Sequence, residues 1–142
     1  MQFVVDASVA VKLLVEEAQS DEAREVLANA TALHAPRLLA SEVANVLWRK
    51  VRSRQLDRAM ASTVINSLTD MPIRWHDDEI VTAHGLHLAM TIDHPFYDCL
   101  YLALAYRIGT TMVTADKRFM TAVAHTEHES KVVTLTTYGK IH

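Results

Sequence analysis

The chain has 142 residues, half of them hydrophobic, with a formal net charge of −3 and a pI near 6.2. That balance predicts one globular domain, 1–142, with a substantial core, and excludes a disordered tail. It also lacks the basic excess usual in a dedicated nucleic-acid binder. Short β-type runs then alternate with longer helical ones. In chain order the pattern predicts a strand at 2–6, helices at 8–16 and 20–29, and a strand at 31–35. Helices at 37–54 and 57–69, a strand at 72–75 and helices at 78–89 and 95–108 follow. A strand at 110–114, a helix at 116–124 and a strand at 131–135 complete the series.

Local signals support these limits. Ser8 is an expected cap for the first helix and Ser20 for the second, with Asp21 and Glu22 in the positive first turn. Pro95 suits the first turn of the helix at 95–108, and Gly109 suits its exit. The first and fourth strands are continuous apolar or β-branched runs, as buried parallel strands are. The alternation predicts a three-layer α/β/α sandwich around a mainly parallel five-stranded sheet. In such folds the site lies beyond the carboxyl ends of the strands. No run approaches the roughly 18 apolar residues of a membrane span. Met1-Gln2-Phe3-Val4-Val5-Asp6 has no basic n-region and is charged too early for a signal peptide. The single cysteine, Cys99, is expected as a packed thiol; it excludes an internal disulfide and fits a reducing cytoplasm.

Four acids sit at the ends or edges of core-forming segments. Asp6 ends Phe3-Val4-Val5, and Glu42 interrupts Leu38-Leu39-Ala40-Ser41-Glu42-Val43-Ala44. Asp98 heads Cys99-Leu100-Tyr101-Leu102-Ala103-Leu104-Ala105, and Asp116 closes Thr111-Met112-Val113-Thr114-Ala115. Most other acids fall in solvated groups, such as Glu16-Glu17, Asp21-Glu22-Glu25 and Asp77-Asp78-Glu79. A lone buried carboxylate is costly unless something pairs with it. Each of the four has an ordinary reading as a turn, cap or exposed helix acid. Their joint placement predicts convergence on one site, for which a divalent cation is the natural partner. Crowding of like charge there should raise at least one carboxyl pKa.

The helix around Glu42 carries two stripes. Leu39, Val43, Val46, Leu47 and Val51 should face the core. Glu42, Asn45, Arg49 and Arg52 form a second line from an acid to a basic end. It belongs to a basic run, Arg49, Lys50, Arg52, Arg54 and Arg58, opposed only by Asp57. His84 and His87 lie three apart without a glutamate partner, and His125 and His128 lie near a polar loop. All four are expected to be structural or surface residues, with no zinc signature.

These segments resemble the PIN domain, specifically the VapC-type toxins of prokaryotic toxin–antitoxin pairs. The resemblance rests on Val4-Val5-Asp6-Ala7-Ser8, Ser41-Glu42-Val43-Ala44-Asn45-Val46-Leu47, Tyr97-Asp98-Cys99 with the apolar run after it, and Thr114-Ala115-Asp116-Lys117-Arg118-Phe119. It implies a metal-dependent endoribonuclease. Asp6, Glu42, Asp98 and Asp116 match the family's acidic quartet, and Ser8, Asn45 and Thr114 match polar positions that support it. Asp93 is expected to be a loop or capping residue. Hard oxygen ligands favour Mg²⁺, or Mn²⁺ in its place, over zinc.

The family resemblance further implies cleavage of single-stranded RNA, leaving a 5′-phosphate and a 3′-hydroxyl. It implies neutralisation by a cognate VapB-type antitoxin, and a toxin homodimer. Arg49, Arg52, Arg54, Lys117 and Arg118 are the candidate contacts to the RNA backbone. One alternative is a catalytically inactive PIN-like module that acts through protein partners. A phosphatase of the haloacid dehalogenase type also places an Asp after the first strand. It wants a second Asp two residues on, where this chain has Ser8.

Overall fold

The computed structural model describes residues 1–141, with side chains through Tyr138. Five strands form one sheet: β1 (Gln2–Val5), β2 (Ala32–Pro36), β3 (Ile73–His76), β4 (Thr111–Thr114) and β5 (Val132–Thr134). Their order is β3-β2-β1-β4-β5, and all four pairings are parallel. The helices are α1 (Ala7–Leu14), α2 (Ser20–Asn29), α3 (Leu38–Arg52), α4 (Arg58–Ser67), α5 (Thr82–Ile92), α6 (Phe96–Ile108), α7 (Lys117–Val123) and α8 (Leu135–Ile141). They flank the sheet in a three-layer α/β/α sandwich. None of the described helices is long and apolar enough to cross a membrane.

The two apolar runs become the centre of the sheet. Phe3, Val4 and Val5 of β1 and Met112 and Val113 of β4 are buried, and Val4 lies opposite Met112. The sheet order reverses between β1 and β4, which opens a crevice at their carboxyl ends. Every residue of α6 from Cys99 to Ala105 is buried, because the helix packs against β1, β2, β4 and α5. A helix apolar all round belongs in the interior. Cys99 is accordingly packed, and burial pushes its thiol up to about 12. Gly109 ends α6 at φ 69°, a left-handed turn that glycine adopts without a Cβ penalty.

The expected elements are present, with shifted ends and some corrections. The 57–69 segment is α4 plus a 3-10 turn, Leu68–Asp70, and the 78–89 segment splits into a 3-10 turn, Asp78–Ile80, and α5. Ser20 does not cap α2. It is the first helical residue, buried, with its hydroxyl accepting from Glu17 N–H at 2.9 Å and donating to Val15 O at 3.2 Å. Ser8 does not cap α1, because Asp6 takes that place and accepts from Val9 N–H. Two presumed solvated acids are structural: Glu17 pairs with Lys50 at 2.5 Å and Lys12 at 3.2 Å, and Asp78 accepts from Leu38 N–H at 3.0 Å. On α3, Leu39, Val43 and Leu47 are buried, whereas Val46 and Val51 are only partly so. Helix α8 was not expected.

Candidate active site

The four acids arrive from four elements. Asp6 follows β1 and caps α1, Asp116 follows β4 and caps α7, Asp98 lies in the first turn of α6, and Glu42 projects from α3. Together with Ser8, Asn45, Arg49 and Tyr97 they line one cleft of about 480 Å³ at the crevice. Three of the acids thus sit at helix N-termini, where the dipole favours negative charge.

Hydrogen bonds hold each carboxylate differently. Asp6 is 6% exposed. Its Oδ1 accepts from Ser8 Oγ–H at 2.6 Å and Val9 N–H at 3.2 Å, and its Oδ2 accepts from Thr114 Oγ1–H. Thr114 Oγ1 in turn accepts from Asp116 N–H at 3.0 Å, and Ser8 Oγ accepts from Ala115 N–H at 2.8 Å. Ser8 and Thr114 therefore lace the end of β4 to Asp6. Asp116 Oδ1 accepts from Arg118 N–H at 2.9 Å and Phe119 N–H at 3.4 Å. Glu42 Oε1 accepts from the buried Tyr101 hydroxyl at 2.5 Å. Asp98 Oδ2 meets His94 Nε2 at 2.7 Å.

Burial pushes the Asp6 carboxyl up to about 6, against the bonds from Ser8, Thr114 and Val9. Repulsion from Asp98 adds the smallest part. A raised carboxyl was expected, but from crowding; desolvation is the larger cause. Glu42 is raised by burial too, with Tyr101 opposing and Asp98 and Asp78 adding. The Tyr101 phenol is pushed up, first by burial and then by Glu42. The donors in this cleft are predominantly carboxylate oxygens, and their charge is under-compensated by protein. That set fits a hard divalent cation. One ligand-type atom each from His94, Asp98 and Asp116 also lies within 4.8 Å of the others.

The other expected residues divide by position. Asn45 and Arg49 line the cleft one and two turns beyond Glu42. Arg52 stacks instead over the exposed Trp48 ring, 5.5 Å from its centroid. Arg54 lines a separate hollow with Asp57 and Arg58, and Lys117 lines another with Gln19 and Thr134. Arg118 is exposed beside the Asp116 cap. Asp93 closes α5 at φ 52°, a capping position. His84, His87 and His125 are exposed, and buried His128 contacts Tyr106 Oη at 2.6 Å. Two residues at the acids escaped the sequence reading. Tyr101 looks like one more core aromatic, and its target lies 59 positions earlier. His94 stands four residues before Asp98, a spacing that offered a weak signal.

Comparison with known proteins agrees with this geometry. The PIN domain family model matches residues 3–125. A protein of Pyrobaculum aerophilum named Ribonuclease VapC3 is 34% identical over 120 residues, covering 83% of this chain and 92% of its own. Mycobacterium tuberculosis Ribonuclease VapC3 is 31% identical over 121 residues, covering 85% and 87%. The chain belongs to the PIN-domain family, in its VapC branch. Solved structures share the fold at lower identity. PAE2754 of P. aerophilum superposes with a TM-score of 0.72 at 22% identity, covering 99% of this chain and 95% of its own. The sarcin–ricin-loop-cleaving toxin VapC20 of M. tuberculosis gives 0.67 at 16%, covering 84% and 94%. A toxin–antitoxin complex from Klebsiella pneumoniae gives 0.65 at 14%, covering 93% and 96%.

Proposed function

We propose that this PIN-domain ribonuclease is a toxin that hydrolyses unpaired RNA with Mg²⁺, or Mn²⁺ in its place, held by Asp6, Glu42, Asp98 and Asp116. The observation that carries the reading is the convergence of four carboxylates from four elements on one cleft, with Arg49 at its side. A bound divalent cation supplies counter-charge to a phosphoryl oxygen and lowers the pKa of water at neutral pH. The chain's own residues do the rest. Ser8, Thr114 and Tyr101 orient Asp6 and Glu42. Arg49 attracts backbone phosphate toward an otherwise acidic cleft. Tyr97, 59% exposed on the cleft wall, offers a ring on which an unpaired base can stack. The products in this reading carry a 5′-phosphate and a 3′-hydroxyl.

The names of the relatives and the K. pneumoniae complex support a small VapB-type antitoxin as the partner that silences the toxin. A homodimer is part of the same reading, and the exposed Leu86 and Met90 of α5 are available for it. The test is cleavage of a single-stranded RNA by the partner-free protein in Mg²⁺ or Mn²⁺ and in EDTA, with Asp98→Asn alongside. Cleavage should need the ion and fall by orders of magnitude in the variant. Either ion at about 100 times its dissociation constant should also stabilise the fold by roughly 2.7 kcal/mol. An ion-dependent rise in melting temperature with no cleavage of any RNA would favour a catalytically inactive binding module. The absence of both effects would end the metal reading.

A further inference from the structure

Three residues join α5 to α6, and the central one is a histidine fixed against the acidic cleft. Asp93 closes α5 in the left-handed region at φ 52°, and Pro95 leads into Phe96 with ψ at 137°. Between them, His94 N–H donates to Ala89 O at 3.2 Å. The His94 ring packs on Phe119 of α7, with centroids 5.1 Å apart and planes at 59°. Backbone and packing thus immobilise the imidazole before any ligand arrives. Its side chain is 11% exposed, against 31% for Asp98.

The other three acids each have donors that set their orientation. Asp6 has Ser8, Val9 and Thr114, Glu42 has Tyr101, and Asp116 has the N–H groups of Arg118 and Phe119. The dipole of α6 favours charge on Asp98 but does not choose which oxygen faces the cleft. Among the described residues, the contact that chooses is His94 Nε2 with Asp98 Oδ2 at 2.7 Å. We propose that His94 is a positioning residue for the metal centre: its Nε2–H donates to Asp98 Oδ2 and leaves Oδ1 to the divalent cation. This rests on the metal-dependent reading above. A donor held by packing loses little entropy on making the bond, so the carboxylate is set at small cost. Outer-shell partners of this kind are typically worth 10–100-fold in metal affinity.

The test uses the metal-depleted full chain titrated with Mn²⁺ alone, with the free aqueous ion followed by electron paramagnetic resonance. His94→Phe keeps a planar ring beside Phe119 and removes the donor. His94→Gln keeps an N–H donor of similar reach. The phenylalanine variant should bind Mn²⁺ about 10–100-fold more weakly, and the glutamine variant should recover most of that loss. Melting temperature in EDTA controls for folding, and His94→Leu replaces the phenylalanine variant if that one fails to fold. Pulsed resonance of wild-type protein with Mn²⁺ should show no directly bonded ¹⁴N. Equal Mn²⁺ affinity in wild type and His94→Phe overturns the proposal while leaving the metal centre intact. A directly bonded ¹⁴N signal lost in both variants overturns it by making His94 a ligand. A wild type that binds no Mn²⁺ removes the metal centre, and this role with it.

Discussion

Replacing Asp6 with Asn should stabilise the metal-free protein at pH 8 and destabilise it at pH 4. The folded Asp6 carboxyl titrates at about 6, against 3.8 for an ordinary aspartate, because burial disfavours its charge. The raised value means that the folded state holds this proton more tightly than the unfolded state does. Stability from that difference is fully present below about pH 4 and is lost as pH rises to about 6. Above that, the ionised group costs the fold about 3 kcal/mol. Asparagine is neutral throughout and keeps an oxygen for Ser8 and Val9. Its amide, however, faces Thr114 Oγ1, which must turn its own hydrogen elsewhere, at a cost of about 1 kcal/mol. The net effect is a gain of about 2 kcal/mol at pH 8 and a loss of about 1 at pH 4. At about 3 °C per kcal/mol, melting should rise by about 6 °C at the higher pH and fall by about 3 °C at the lower. Paired calorimetry in EDTA from pH 4 to 8 measures this, since titrations common to both proteins cancel in the difference. A difference that does not change with pH, or one that favours the variant at low pH, refutes the desolvation argument.

Other perturbations separate the parts of the site. Tyr101→Phe removes the bond that lowers Glu42, so the carboxyl should rise further and the acid limb of the cleavage profile should move to higher pH. Arg49→Gln should flatten the slope of log affinity against log salt by about 0.7, the contribution of one phosphate contact to a single strand. Arg54→Gln, in a different hollow, should leave that slope unchanged in the same titration. Gly109→Ala places a Cβ at φ 69° in open space, so denaturant unfolding should register a loss of about 1 kcal/mol with Mn²⁺ affinity unaltered.

The central strands were legible because a strand buried on both faces must be apolar throughout, and Phe3-Val4-Val5 and Met112-Val113 are. The acids were legible for the opposite reason, as charges at the margins of such runs. Helix α8 was not, because Leu135-Thr136-Thr137-Tyr138 offers β-branched residues and a glycine follows. Tertiary contacts decide it. Leu135 and Tyr138 are buried, Tyr138 meets Phe3 edge-on at 5.8 Å, and Thr134 Oγ1 accepts from Thr137 N–H at 3.0 Å. The basic run misled in part, since charge in sequence says nothing about direction. Of its members, only Arg49 lines the cleft, whereas Lys50 is spent on Glu17. His94 lies outside any helical or strand period, so only its four-residue spacing from Asp98 points to it.

The distribution of supports around the four acids explains how the cluster can be folded before it is filled. Asp98 and Asp116 lie where a helix N-terminus offsets their charge, by about 0.3–1 kcal/mol each at exposed positions. Glu42 lies inside α3, beyond that help, and has a buried phenol instead. Asp6 has a helix N-terminus, two hydroxyls and a backbone N–H, and is still raised to about 6. Burial therefore outweighs the local supports at Asp6, and in the same direction at Glu42. The unfavourable free energy of the cleft falls most heavily on Asp6, at the carboxyl end of the central strand, where the surrounding sheet is least able to relax. A cation that relieves it gains affinity at the residue whose position the fold fixes most firmly. Asp6 is thus the acid whose neutralisation should couple metal binding most strongly to stability.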